Sequence, residues 1–172
     1  TGSFDNSETG TLNFNDGTLT VNGASGVFNP GTGDFTIDGT TATDLPELVI
    51  ADTASATLTG FLMVGSSRQG KLTIEAGGVV SNNNLGNIAY SSGSTGEVTV
   101  TGSGSHWTNS NWLLVGQGGS GSLNVEAGGV VSNTAGRIAD LSGSTGVATV
   151  TGSGSQWNNS SDLLVGYSGD GT

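Results

Sequence analysis

The chain repeats itself, and the repeat is the strongest constraint on its fold. Leu62 to Asn82 reads LMVGSSRQGKLTIEAGGVVSN, and Leu113 to Asn133 reads LLVGQGGSGSLNVEAGGVVSN, identical at 13 of 21 positions under a shift of 51 residues. The register then slips by one, because Asn83-Asn84-Leu85 faces only Thr134-Ala135. From Gly86 to Gly116 a shift of 50 aligns GNIAYSSGSTGEVTVTGSGSHWTNSNWLLVG with GRIADLSGSTGVATVTGSGSQWNNSSDLLVG, identical at 22 of 31 positions. Each unit also contains two similar halves of about 25 residues, each with three short apolar patches separated by Gly, Ser and Asn. The patches are LLVG, SLNVEA and GVVSN in one half, and RIAD, VATVT and QWNNS in the next.

Within the patches Leu72/Ile74, Val98/Val100 and Leu123/Val125 alternate with polar residues, the period of a strand with one buried face. No segment carries a 3.6-residue apolar period over a useful length. Three strands of roughly 3–5 residues cannot bury their apolar faces alone, but stacked on copies of themselves they can. The expected fold is therefore all-β: a parallel β-helix with three faces and about 25 residues per coil, each strand about 4.8 Å above its equivalent. About seven coils would make a rod on the order of 33 Å long. Glycines are expected at the corners, where positive φ is needed. Asn82/Asn133 and Asn109/Asn159 are expected at the same corners, because asparagine tolerates the left-handed region and can bond backbone groups.

Composition agrees with this reading. Glycine supplies 32 of 172 residues, against a usual share of about 7%, and each costs about 1 kcal/mol in a helix interior. Charged residues make up only 10% and there are 2 prolines, unlike an ordinary disordered chain. No apolar run approaches the roughly 20 residues of a helical membrane span, so no membrane insertion is expected of this segment. Fourteen acidic residues against 3 basic ones give a formal charge of -11, which makes nucleic acid and anionic lipid poor partners. Cysteine is absent, which excludes disulfides and thiolate metal sites.

Residues 1–172 are read as a single solenoid. Residues 1–60 form irregular coils, 62–112 a first repeat unit, and 113–172 a second unit with the start of a third. In the irregular part GTLNF, GTLTVNG, GVFNP, GDFTIDG and PELVIADTASATLTG are strand-like, and Phe4, Phe14, Phe28 and Phe35 replace later aliphatics. Pro30 and Pro46 mark corners or an excursion, since proline cannot donate to an interior ladder. No signal peptide is visible at Thr1. The closing GYSGDGT matches GQGGSGS and stops before the strand that should follow, as in a piece of a longer repetitive protein or a subunit capped by neighbours.

The unit xLxVGxxGxGxLxVExGGxVSN, followed by GxIAxxxGSTGxxTVTGSGSxWxNS, resembles the repeats in passenger regions of bacterial autotransporter adhesins. The resemblance covers Leu62 to Thr172 well and the first 60 residues only in style. It implies a right-handed parallel β-helix, export to the bacterial cell surface or beyond, and a role in adhesion, autoaggregation or surface coating. It is weak for any particular ligand.

Chemistry-bearing residues are few, and comparing the two units sorts them. His106 aligns with Gln156, Lys71 with Ser122, Arg68 with Gly119 and Arg137 with Asn87, swaps that suit solvent-facing positions and count against a repeated catalytic set. Glu75 and Glu126 would lie on one side of the rod about 10 Å apart, too far to share a proton or a metal. Asp16-Gly17, Asp38-Gly39 and Asp170-Gly171 read as turns rather than calcium ligands. The pairs Thr99/Thr101 and Thr149/Thr151 read as the outer face of a strand. Trp107 and Trp157 fall within about one residue of Val80 and Val131, which places them in the core with an indole N–H that needs a polar partner. Trp112 aligns with Asp162 and Tyr90 with Asp140, so these two aromatics are expected on the surface and are the candidate contact residues.

The sequence thus leads to an extracellular structural or adhesive rod that self-associates or stacks end to end, with host or matrix glycans as further candidate partners. No catalytic residue, cofactor or metal site is expected. A carbohydrate-binding stalk or viral fibre segment is the second reading, and a polysaccharide-degrading enzyme the third.

Overall fold

The computed structural model describes residues 4–5 and 14–172. The described chain is all-β, wound into a parallel solenoid of about 6 turns with roughly 25 residues per coil. Three parallel sheets form its faces, of seven, seven and six strands. The first face holds the longest strands, Gln69–Glu75, Thr95–Thr101, Ser120–Glu126 and Thr145–Thr151, each paired in register with the next. The second holds Val79–Asn82, His106–Asn109, Val130–Asn133 and Gln156–Asn159. The third holds the three-residue strands Leu62–Val64, Gly86–Ile88, Leu113–Val115, Gly136–Ile138 and Leu163–Val165. The three apolar patches of each half-unit are these three strands.

Six turns, rather than seven, make a rod about 29 Å long. One early coil is longer than the rest. Thr18 pairs with Glu47, across an excursion through Thr40 to Leu45 that belongs to no strand. Pro46 then ends the excursion at a corner, offering its carbonyl to the Lys71 N–H. Strands Val27–Asn29, Phe35–Ile37, Glu47–Ile50 and Ser55–Leu58 continue the three faces downward. Phe4–Asp5 pairs with Phe28 and Asn29. Of the GTLNF piece only Phe14 lies within the described residues, and it is not in a strand. The one-residue slip between units falls at the corner leaving the second face, where Asn82 donates its side-chain amide to the Asn84 carbonyl.

Columns of identical direction fill the lumen. Leu48, Leu72, Val98 and Leu123 form one, and Ile50, Ile74, Val100 and Val125 another, all buried. Val150 continues the second column above Val125 and is exposed. Trp107 stacks between Val80 and Val131 and is fully buried. Its indole N–H donates to Asn82 Oδ1 at 3.0 Å, and Trp157 repeats the bond to Asn133 Oδ1 at 2.6 Å. The polar partner demanded by the buried indole thus comes from the coil below. This corrects the expectation for the asparagines. Asn82, Asn109 and Asn133 are buried at the inner ends of strands, and none is among the positive-φ residues. Buried strand ends replace the left-handed corner: Asn133 donates to Asn159 Oδ1 at 2.6 Å, whereas the Asn109 amide nitrogen and oxygen are buried without a partner.

The lumen also explains why the sequence repeats over two coils. Where the second face carries tryptophan, the third face of the same coil carries glycine: Trp107 with Gly86, Trp157 with Gly136. Where it carries valine, the third face carries leucine: Val80 with Leu62, Val131 with Leu113. A Cβ added at Gly86 would collide with Asn109 Oδ1 and lie 3.0 Å from Trp107 Cζ2, and one at Gly136 would lie 2.7 Å from Asn159 Oδ1 and 3.1 Å from Trp157 Cζ2. Each coil keeps its volume by exchanging size between two faces, as close packing requires.

A different steric rule acts where the third face turns into the first. Gly96 is second in its strand, and an added Cβ there would collide with the Val64 carbonyl oxygen. Glycine is required there for close backbone approach rather than for its dihedral freedom. Left-handed corners do occur just after the short strands, at Gly65 and Gly116 and, with φ of 60° and 56°, at Ala89 and Ala139.

Two predictions follow from this packing. Gly86→Leu should destabilise the fold by about 1–3 kcal/mol through overpacking, and Trp107→Val by about 3 kcal/mol through a cavity. The double variant recreates the neighbouring coil's pair and should recover most of the loss, a coupling readable by chemical denaturation. The excursion is held by Asp44, whose carboxylate is lowered from the ordinary 3.8 to about 2, first by the Thr41 hydroxyl and then by the Thr40 hydroxyl and both backbone N–H groups. Because the folded value is depressed, this support is full above the ordinary carboxylate range and is lost as pH falls through about 2. Backbone amide shifts of Thr40 and Thr41 should therefore titrate near 2 and be pH-independent in Asp44→Ala.

Candidate functional site

The outward side chains of the rod differ sharply from face to face. On the first face Thr73, Thr99, Asn124 and Thr149 form one row, and Glu75, Thr101, Glu126 and Thr151 the next. Glu75 and Glu126 are thus two coils apart with Thr101 between them. Thr-x-Thr pairs sit on alternate coils. Lys71 lies between Glu47 and Glu97 in register, 3.5 Å and 3.9 Å from their carboxylates. Half-exposed pairs of this kind contribute little stability each and chiefly keep the face polar. His106 and Arg68 are exposed. Among the described residues, no group of three or more His, Cys, Asp and Glu could hold a metal ion.

The third face is different because its strands are only three residues long. One outward residue per coil, Met63, Asn87, Leu114, Arg137 or Leu164, stands between residues that flank the strand on either side. Before the strand come Phe61, Leu85, Trp112, Ala135 and Asp162; beyond the left-handed corner come Tyr90, Gln117, Asp140 and Tyr167. Long flanking side chains fold over the central row. Asn87 is only 1% exposed and Leu114 is buried, although both point away from the lumen. The flanking aromatics stay at the surface, Tyr90 at 48% and Trp112 at 36% exposure. Both candidate contact residues therefore lie on this one face, with Phe61 and Tyr167 beside them.

Around Arg137 the face forms a closed cluster. Its guanidinium lies 4.4 Å from the Trp112 ring centre on the coil below and 4.3 Å from the Tyr167 ring centre on the coil above. Its Nη1 donates to Asp140 Oδ1 at 2.7 Å. Cation–π attraction to both rings and the ion pair to a carboxylate 6% exposed hold the side chain flat against the sheet. The expectation that Arg137, and Asn87 at the equivalent place, face solvent is thus corrected. The alignment offered Asn for Arg and Tyr for Asp as independent swaps, but the fold sets positions 137 and 140 against each other across one corner. A cleft of about 150 Å³ remains beside the cluster, lined in part by Trp112, Arg137, Asp162 and Leu164.

The equivalent place one unit earlier is open. There Phe61, Met63, Leu85, Asn87, Tyr90 and Gln117 line a cavity of about 220 Å³. The Asn87 side-chain amide donates to Gln117 Oε1, while Asn87 Oδ1 is buried with no partner. Sequence reasoning found Tyr90 and Trp112 but missed Phe61, Tyr167, Asn87 and Gln117. The available signal was position: each flanks or sits within the three-residue patch, so the patches mark one face of the rod.

Removing the cation tests the cluster. Arg137→Ala leaves Asp140 nearly buried without its partner and should cost about 1–3 kcal/mol. The same change should shift Trp112 emission to the red, whereas Arg68→Ala should alter neither stability nor emission. Comparison of the chain with family models, with curated proteins and with solved structures finds no match.

Proposed function

We propose that the chain is an extracellular structural and adhesive rod, a segment or subunit of a bacterial surface adhesin, matrix protein or fibre that works by geometry rather than by turnover. The observation that carries the reading is the division of labour among faces. One buried apolar core runs under three parallel ladders, and a single face gathers Phe61, Tyr90, Trp112 and Tyr167 at the surface. Stiffness comes from the ladders, because no coil can bend without breaking backbone bonds to both neighbours. Contact comes from the aromatic face, where weak interactions repeated along the rod add up through multivalency. The autotransporter-like repeat pattern supports surface export and the adhesive role.

Self-association fits the same frame. Parallel ladders of like register can pair with those of another copy. A carbohydrate-binding stalk is the second reading, favoured by the open cavity between Phe61 and Tyr90.

The test is adhesion of beads coated with the protein to a matrix or cell surface. Retention should fall at least about tenfold when Tyr90→Ser and Trp112→Ser are combined, with the thermal transition preserved. Beads that fail to adhere, together with protein that sediments as a monomer at high concentration, would remove the reading.

A further inference from the structure

The geometry points to a binding site for one uncharged pyranose ring in the cavity formed by Phe61, Met63, Leu85, Asn87, Tyr90 and Gln117. This inference rests on the adhesive reading and names the ligand class it would serve. Three observations carry it, and the first is the orphaned acceptor. Asn87 is 1% exposed and its Oδ1 has no partner, although buried polar atoms are paired as a rule. Its own amide is already engaged by Gln117 above it. What is missing is a donor from outside the chain, and a small turn of the half-buried Gln117 side chain would admit one.

The second observation is the chain's own solution at the equivalent place. Phe61 corresponds to Trp112, Asn87 to Arg137, Tyr90 to Asp140 and Gln117 to Tyr167. In the later unit Arg137 fills the space between two rings, and Asp140 neutralises it. In the earlier unit both charges are gone together: asparagine replaces the cation and tyrosine its carboxylate. Where the guanidinium sits in one unit, the Asn87 amide meets Gln117 in the other, and a cavity of about 220 Å³ lies beside them.

The third is the chemistry of the walls. None of the six lining residues carries a charge, so an ionic occupant would be desolvated without a counter-charge. The molecule's charge of -11 further disfavours uronic, sialic or phosphorylated ligands. Phe61 and Tyr90 offer aromatic rings for an apolar patch, while Asn87 and Gln117 offer amide groups for hydroxyls. A pyranose has both, with C–H groups on its face and hydroxyl donors at its rim. At about 220 Å³ the cavity is smaller than a site for a drug-sized ligand, roughly 300–1,000 Å³, and suits one ring of a longer glycan.

The probes are the methyl glycosides of glucose, galactose, mannose and N-acetylglucosamine, with methylguanidinium as the cationic control, each followed by saturation-transfer and amide-shift NMR. At least one glycoside should bind at one site and shift Asn87, Tyr90 and Gln117. Tyr90→Ala and Phe61→Ala should each weaken it at least about tenfold, with wild-type thermal transitions. The combined change Arg137→Asn and Asp140→Tyr should open the second place and raise the stoichiometry from one to two. Absence of binding by all four glycosides would overturn the proposal, as would binding unaffected by Tyr90→Ala or methylguanidinium preferred at the same residues. Bead adhesion that persists while no glycoside binds sinks this inference and leaves the adhesive reading standing. Glycoside binding without adhesion does the reverse.

Discussion

In-register stacking of one coil on the next is the constraint from which the rest of this structure follows. Each backbone N–H on a face finds its acceptor one coil away, so a residue's direction is inherited by its equivalent above and below. Inward columns stay inward, and outward rows stay outward. A strand displaced by one residue would turn Ile74, Val100 and Val125 to water at once, which makes the register strongly specified. Loops tolerate more. The extra residue in Asn83-Asn84-Leu85 and the long passage from Thr40 to Leu45 are absorbed at corners outside the strands, and Asn83 and Leu85 still bond the coil below through Leu58 and Leu62.

Stacking also sets where variety is permitted. Inside, size is exchanged within a coil, tryptophan against glycine and valine against leucine, so that the cross-section stays constant while the sequence alternates. Outside, the first face keeps short polar side chains with a Glu–Lys–Glu row, and the third gathers long aromatics around a narrow strip. A three-residue strand leaves one outward position per coil, and the residues beside it reach over that position. This is why Asn87 and Arg137 point outward and are nevertheless covered. The same geometry turns a pair of substitutions between units into a filled place and an open one.

The adhesive reading joins these two properties. A rod whose coils cannot flex independently holds surface groups at fixed spacing, and fixed spacing converts weak contacts into firm attachment. In the reading proposed above, the aromatic face would supply the groups and the acidic remainder would keep the rod soluble.

Legibility differed by level. The repeat at 51 and 50 residues, with apolar alternation in its patches, was sufficient to specify three parallel faces and the lumen columns through Leu72, Val98 and Leu123. It was also sufficient to place Trp107 inside beside Val80 and Val131, since equivalent positions in a stack share an environment. Periodicity carries no information about what crosses a corner. The pairing of Trp107 with Gly86, the burial of Asn82, Asn109 and Asn133 in place of left-handed corners, and the meeting of Arg137 with Trp112, Asp140 and Tyr167 were decided by tertiary structure alone. Each joins residues from different faces or different coils, and their distance depends on how sharply the chain turns between strands. The sequence by itself determined which residues lie above one another; only the fold decided which lie beside one another.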